Sequence, residues 1–167
     1  MSHLEHKRVS PESVSCAIVT ISDSRTEADD ESGKLYRELL TKNGHRVLAY
    51  TLLKNDAAAI RQKVLDLLKQ DGLQVIITSG GTGLSHRDVT VETVAPLLEK
   101  KLEGFGELFR SLSYQEIGTS AMLSRAVAGV TGGKVILCLP GSLGATRLAL
   151  EKIILPEIGH TVREATR

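Results

Sequence analysis

The sequence predicts an α/β fold: one three-layer domain with a mostly parallel central sheet and helices on both faces. Three observations carry this. Through the first half of the chain, apolar runs rich in β-branched residues alternate with segments of helical periodicity, the strand–helix–strand pattern of right-handed crossovers. The first run, Val14 to Ile21, is continuously apolar, as expected of a strand buried on both faces. Polar loops follow three strands at their carboxyl ends, where open parallel sheets bind ligands. A length of 167 residues suits one domain, and there is no internal repeat, low-complexity tract or linker.

Residues 1–13 are polar without a signal-peptide core and read as a flexible leader, leaving 14–167 as the domain. After the first strand, Ser22-Asp23-Ser24-Arg25 leaves the sheet. A helix follows from Ser32 to Asn43, with Leu35, Tyr36, Leu39 and Leu40 on one face and Asn43-Gly44 as its stop. Arg46 to Leu53 is the second strand. Asn55 or Asp56 caps the next helix, in which Ile60, Val64, Leu67 and Leu68 recur at helical spacing. Asp71-Gly72 ends it, and Leu73 to Thr78 is the third strand.

The middle of the chain is less regular. Thr90 to Leu98 is helical, with Pro96 placed early or kinking it. Gly104-Phe105-Gly106 opens a helix through Leu112, on which Glu107 and Arg110 are spaced as an ordinary ion pair. Thr119 to Arg125 is a short helix. Ala126 to Val130 and Lys134 to Leu139 flank Thr131-Gly132-Gly133 as a hairpin. A final helix runs from Leu143 to Leu155, with Pro156 beyond it.

Composition narrows the function classes. The chain is 41% apolar and 25% charged with a net charge of +1, which argues against a dominant electrostatic partner. Only 3% of residues are aromatic and there is no Trp, so a nucleic-acid groove with stacking rings is not expected, nor is a flavin sandwich. No apolar run approaches the ~20 residues that span a bilayer. Cys16 and Cys138 sit in apolar strands outside any metal-ligand spacing, and read as buried reduced thiols of a cytoplasmic protein.

Residues Val75 to Thr90, V-I-I-T-S-G-G-T-G-L-S-H-R-D-V-T, form the most chemically suggestive stretch. Gly80, Gly81 and Gly83 reach positive φ at low cost and let backbone N–H groups converge on an anion. Asp88 then offers hard oxygen to a cation such as Mg²⁺. A Walker A loop is excluded because no Lys follows the glycines, and a dinucleotide fingerprint because His86 stands where its third glycine belongs. A strand-to-helix turn that needs glycine only for its geometry is the competing reading. If the three strands are neighbours, Ser22-Asp23, Ser79 to Asp88 and Pro140-Gly141-Ser142 line one crevice.

Taken together, S-D-S-R, T-S-G-G-T-G…R-D-V-T, M-L-S-R-A-V-A-G and L-P-G-S strongly resemble the molybdenum-cofactor biosynthesis B/Mog family, which includes the G domains of gephyrin and plant Cnx. The resemblance runs from Val14 to Glu157, and Gly104 to Gly129 is similar to the B branch in particular. It implies a fold of the molybdopterin-binding-domain type. It also implies binding of molybdopterin and, in active members, adenylylation of its terminal phosphate by Mg-ATP with release of pyrophosphate. On that basis Ser79, Gly80, Gly81, Thr82 and Gly83 cradle phosphate. Asp88 is the carboxylate required for activity and a Mg²⁺ ligand. Ser124, Arg125, Pro140, Gly141 and Ser142 hold the pterin and its phosphate, with Ser22 and Asp23 at the same pocket. Relatives form trimers, paired into hexamers in the B branch, so a homotrimer or hexamer is implied.

One departure stands out. Active relatives carry a second acid in a P-D-E or K-D-E motif after the second strand, whereas this chain reads Leu53-Lys54-Asn55-Asp56. An amide supplies no charged metal ligand. Either Asp56 moves in as the second catalytic acid and metal ligand, or Mg-ATP is bound poorly. A molybdopterin-binding or carrier protein without turnover is therefore the alternative, and a generic nucleotide-binding module a third reading. Arg87 is expected at the surface or between subunits, and His86 as a solvated loop residue.

Overall fold

The structure is a computed structural model and describes residues 2–167. Six strands form one sheet in the order β2-β1-β3-β6-β5-β4. They are β1 (Ser15–Ile21), β2 (Arg46–Leu53), β3 (Val75–Ser79), β4 (Lys100–Lys101), β5 (Val127–Thr131) and β6 (Lys134–Leu139). The β2, β1, β3 and β6 strands are mutually parallel, and β5 and β4 continue the sheet antiparallel. The expected three-layer, mostly parallel architecture is present.

Alternating side chains of the sheet feed two separate cores, as a pleated strand requires. Ile18, Ile77 and Leu137 pack under α2 (Glu31–Lys42), α5 (Glu103–Ile117), α6 (Leu143–Ala149) and α7 (Leu155–Ala165), meeting Tyr36, Leu40, Phe109 and Ile154. Val19, Ile76 and Ile136 face the other way, against Ile60 and Val64 of α3 (Ala57–Leu68) and Val94 of α4 (Thr90–Val94). Cys16 and Cys138 are free and buried, and burial pushes their thiols up to about 12 and about 11.

Several boundaries differ from expectation, each for a physical reason. Part of the leader is helical: α1 (His3–Arg8) starts in a capping box between Ser2 and Glu5, and Lys7 pairs with Glu157. Past Val94 the chain tightens into a 3₁₀ turn, Ala95–Leu97, which accommodates Pro96. The α5 helix continues beyond Leu112 because Phe105, Phe109 and Ser113 keep one face buried, and it ends at Gly118 with φ 64°. A 3₁₀ turn, Gly118–Leu123, replaces the expected short helix. Arg110 does not pair with Glu107 but donates to the Ser124 and Ala126 carbonyls.

The final helix does not stop before Pro156. A π-helical turn, Leu150–Ile154, widens the ladder, so that Leu155 N–H bonds to Leu150. Pro156 then occupies the first turn of α7, where its missing N–H costs little. Between β5 and β6, Gly132 (φ 57°) and Gly133 (φ 73°) both take the left-handed conformation of a two-residue type I′ hairpin.

The start of α2 depends on one buried acid. Asp30 accepts the Gly33 N–H at 3.0 Å and the Tyr50 hydroxyl at 2.6 Å, with Arg25 at 3.7 Å. A Cβ at position 33 would lie 2.2 Å from Asp30 Oδ2, so only glycine fits beneath the carboxylate. Burial alone would raise the Asp30 pKa. The neighbouring Thr20 and Tyr50 hydroxyls, the Gly33 N–H and the Arg25 charge outweigh it and hold the pKa below 3.8. A lowered carboxyl pKa contributes stability above the unfolded value that is lost as pH falls through the folded one. Asp30→Ala removes the cap and orphans Tyr50, and is expected to cost about 2–4 kcal/mol in urea unfolding at neutral pH. The difference between wild type and variant should shrink as pH drops below the ordinary carboxylate range. An unchanged difference there would show that the charge contributes nothing.

Candidate functional site

Because β2, β1, β3 and β6 run parallel side by side, Leu53, Ile21, Ser79 and Leu139 end on one edge of the sheet. The loops that leave them enclose a polar crevice of about 490 Å³. Its walls include Ser22, Asp23 and Arg25 after β1, Asn55 after β2, Gly80 to Gly83 and Asp88 after β3, and Pro140 and Gly141 after β6. Leu123 and Ser124 close one side.

The glycine loop is demanded by packing as well as by conformation. Gly80 and Gly81 adopt φ 107° and 68°. A Cβ on Gly80 would lie 2.1 Å from the Ile21 carbonyl oxygen; one on Gly81 would lie 2.3 Å from Thr90 Oγ1 and 2.6 Å from Asn55 Oδ1. At Gly83 it would lie 2.6 Å from Asp88 Oδ2. The Gly80 N–H is spent on the Leu139 carbonyl at 2.9 Å, which extends the β3–β6 ladder into the loop. Thr90 fastens the far end, donating its hydroxyl to Gly80 O and its N–H to Gly81 O. Among the described residues the N–H groups of Gly81, Thr82 and Gly83 have no partner, so the donors available to an anion start at Gly81 rather than Gly80.

Asp23 joins three of the loops. Its Oδ2 accepts from Arg87 Nε at 2.8 Å, and its Oδ1 from the Asn55 N–H at 3.0 Å. The Arg87 guanidinium, and then the Asn55 N–H, lower the Asp23 pKa to about 2. Arg87 thus bridges the β3 loop to the β1 loop. Asp88 Oδ2 accepts the Ser85 N–H at 3.1 Å, which leaves Oδ1 for a cation. Among the described residues no three His, Cys, Asp or Glu side chains cluster to hold a metal.

The remaining candidates divide. Asn55, not Asp56, lines the crevice; its Oδ1 is buried without a hydrogen bond. Asp56 faces its own helix, where it caps α3 by accepting the Ala59 N–H at 2.7 Å. Ser142 does the same for α6 through Ala145 N–H. Ser79 is fully buried below the loop. Arg125 lies behind the glycines: Nε donates to Thr82 O at 2.8 Å, Nη2 to Gly83 O at 2.7 Å, and the guanidinium pairs with Glu92. Arg25, the last residue of S-D-S-R, is a crevice residue that its sequence context does not mark. It donates to Gly141 O at 2.9 Å and forms part of the crevice wall.

Comparison with known proteins agrees with this architecture. Residues 17–160 match the family model described as "Probable molybdopterin binding domain". The molybdenum cofactor biosynthesis protein B of Bacillus cereus is 52% identical across 100% of this chain and 99% of its own length; that of Bacillus subtilis is 45% identical across 98% and 97%. A crystal structure of a molybdenum cofactor biosynthesis protein B superposes with a TM-score of 0.89 at 53% identity, covering 93% of this chain and 97% of the other. The tungsten cofactor synthesizing protein MoaB from Pyrococcus furiosus superposes at 0.85 and 36% identity, covering 94% and 99%. With a family model matched over residues 17–160 and relatives alike over the full length, the chain belongs to the molybdopterin-binding domain family and has a role in molybdenum cofactor biosynthesis.

Proposed function

We propose that the crevice binds molybdopterin beside Mg-ATP and transfers the adenylyl group to the pterin phosphate. The observation that carries this reading is the meeting of unpartnered Gly81, Thr82 and Gly83 N–H groups with Asp88 in one polar crevice at the sheet edge. Backbone donors fixed before the substrate arrives stabilise charge without reorganising. A phosphate oxygen of the pterin forms the new bond to the α-phosphorus as the bond to the β-phosphate oxygen breaks and pyrophosphate leaves. No side-chain nucleophile is needed.

The donor set suits Mg²⁺, which usually takes one or two carboxylates and completes its shell with water and substrate phosphates. Asp88 would hold it, with Asp23 committed to Arg87 and Asn55. When bound, Mg²⁺ neutralises charge on the departing pyrophosphate. Asp56, occupied with Ala59, is not available to it without leaving its cap.

A carrier without turnover is the second reading, and Asn55 on the crevice wall favours it. We further propose assembly into trimers or hexamers, supported by the exposed Leu108, Tyr114, Ile117 and Met122 on α5 and the turn after it. Light scattering should then give a mass three or six times 18.0 kDa; a monomer would refute assembly.

Purified protein given molybdopterin and Mg-ATP is expected to release pyrophosphate. Asp88→Ala should lower that rate by about 10²-fold or more, while fluorescence-detected pterin binding changes little. Pterin binding with no pyrophosphate above background selects the carrier. Asn55→Asp introduces a carboxylate beside Asp23 and is expected to lower the melting temperature in EDTA, with recovery on adding Mg-ATP. A rise in turnover should accompany it. Recovery without any rise would mean that the added acid binds metal but that Asn55 does not limit the rate.

A further inference from the structure

Three arginines approach the crevice, and their partners separate them. Arg87 is committed to Asp23. Arg125 is held by two loop carbonyls and Glu92, feels the charge of Asp88, and is not part of the crevice wall. Arg25 alone among the three forms part of the crevice wall.

Its surroundings hold it in place without consuming it. The Arg25 N–H donates to Ser22 Oγ at 3.1 Å, which fixes the turn after β1. Nη1 bonds to Gly141 O, which Ser32 Oγ also approaches at 2.9 Å. Asp30 at 3.7 Å gives partial balance, but its oxygens already accept from Gly33 and Tyr50. Arg25 Nε and Nη2 make no hydrogen bond among the described residues, and the side chain is 35% exposed. The guanidinium therefore lies where the Gly80–Gly81 and Pro140-Gly141 loops meet.

Charge on the walls gives this position its significance. Asp23 and Asp88 are the acids that line the crevice, and a polyphosphate brings several further negative charges. Arg87 offsets Asp23 and the charge of Asp88 reaches Arg125, so the lining side chain left to meet a polyphosphate with positive charge is Arg25. We infer that Arg25 is the crevice's own cation, pairing through Nε and Nη2 with a phosphate group of the nucleotide or pterin. Arg125 is instead a positioning residue that sets the carbonyls of the glycine loop. This inference rests on the phosphate-binding reading of the site and assigns its charge to a side chain.

Isothermal titration with metal-free pyrophosphate and with ATP tests it, using Arg25→Gln, Arg25→Lys and, as a surface control, Arg147→Ala. Arg147 is exposed, pairs with Glu151, and is not among the residues that line the crevice. Arg25→Gln keeps an N–H donor for Gly141 but no charge. It should bind pyrophosphate at least tenfold more weakly and show a shallower dependence on salt. Arg25→Lys should recover most of the loss, and Arg147→Ala should match wild type. If Arg25→Gln binds as tightly as wild type with the same salt dependence, the inference is overturned while the proposed function stands. Equal losses in the Gln and Lys variants reduce Arg25 to a latch on Gly141 and also overturn it. A wild-type protein that binds neither probe overturns the inference together with the nucleotide half of the proposed function.

Discussion

The parallel pairing of β3 between β1 and β6 is the constraint on which the site depends. In register, Thr20, Ser79 and Leu139 stand side by side, so three loops leave the sheet at nearly the same level. Gly80 continues the ladder by donating to Leu139, and its missing Cβ lets it pass against the Ile21 carbonyl. A slip of one residue would turn the strand's faces over and exchange the two cores, which makes the register strongly specified. The crevice is therefore a consequence of sheet packing, and its walls inherit the rigidity of the core.

Charge then joins loops that packing only brings close. Asp23 connects the segments after β1, β2 and β3 through Asn55 and Arg87. Arg25 joins the first of these to Gly141 after β6. Arg125 braces the glycine loop from behind. Exposed ion pairs such as Asp23–Arg87 contribute little individually to stability. Their value here is positional, because each restrains a loop that would otherwise be free at one end. A binding site built this way is organised before ligand arrives, and less of the binding energy is lost to ordering it.

Much of the fold was legible in the sequence because its strongest signals are local. The apolar run from Arg46 to Leu53 matches β2 at both ends, and the Gly132-Gly133 turn declares its hairpin through glycines that only that turn requires. Misreadings came where tertiary contact overrides pattern. Two lysines form β4 because β5 offers them an edge, and nothing in Lys100-Lys101 announces a strand. Pro156 looked terminal, but the π turn before it lets the helix resume. At the crevice, residue type identified the loops but not the direction of each side chain. Asn55 and Asp56 are equally good caps on paper, and the choice is made by whichever reaches Ala59. The resemblance implies Arg125 as a ligand of the pterin phosphate, and the structure adds that its guanidinium serves the Thr82 and Gly83 carbonyls.

The tight fit of the glycines carries a consequence for how such sequences are classified. Gly80 is required by a neighbouring carbonyl and Gly81 by Thr90 and Asn55, whether or not any reaction takes place beside them. A lineage that lost catalysis would still be held to the same G-G-T-G pattern, because giving it up would disrupt the sheet edge. A search pattern built on those letters thus detects a scaffold. To sort enzymes from descendants that only bind, a classifier should weigh the charge carried by the side chains on the crevice wall at 25, 55 and 88 rather than the glycines behind them.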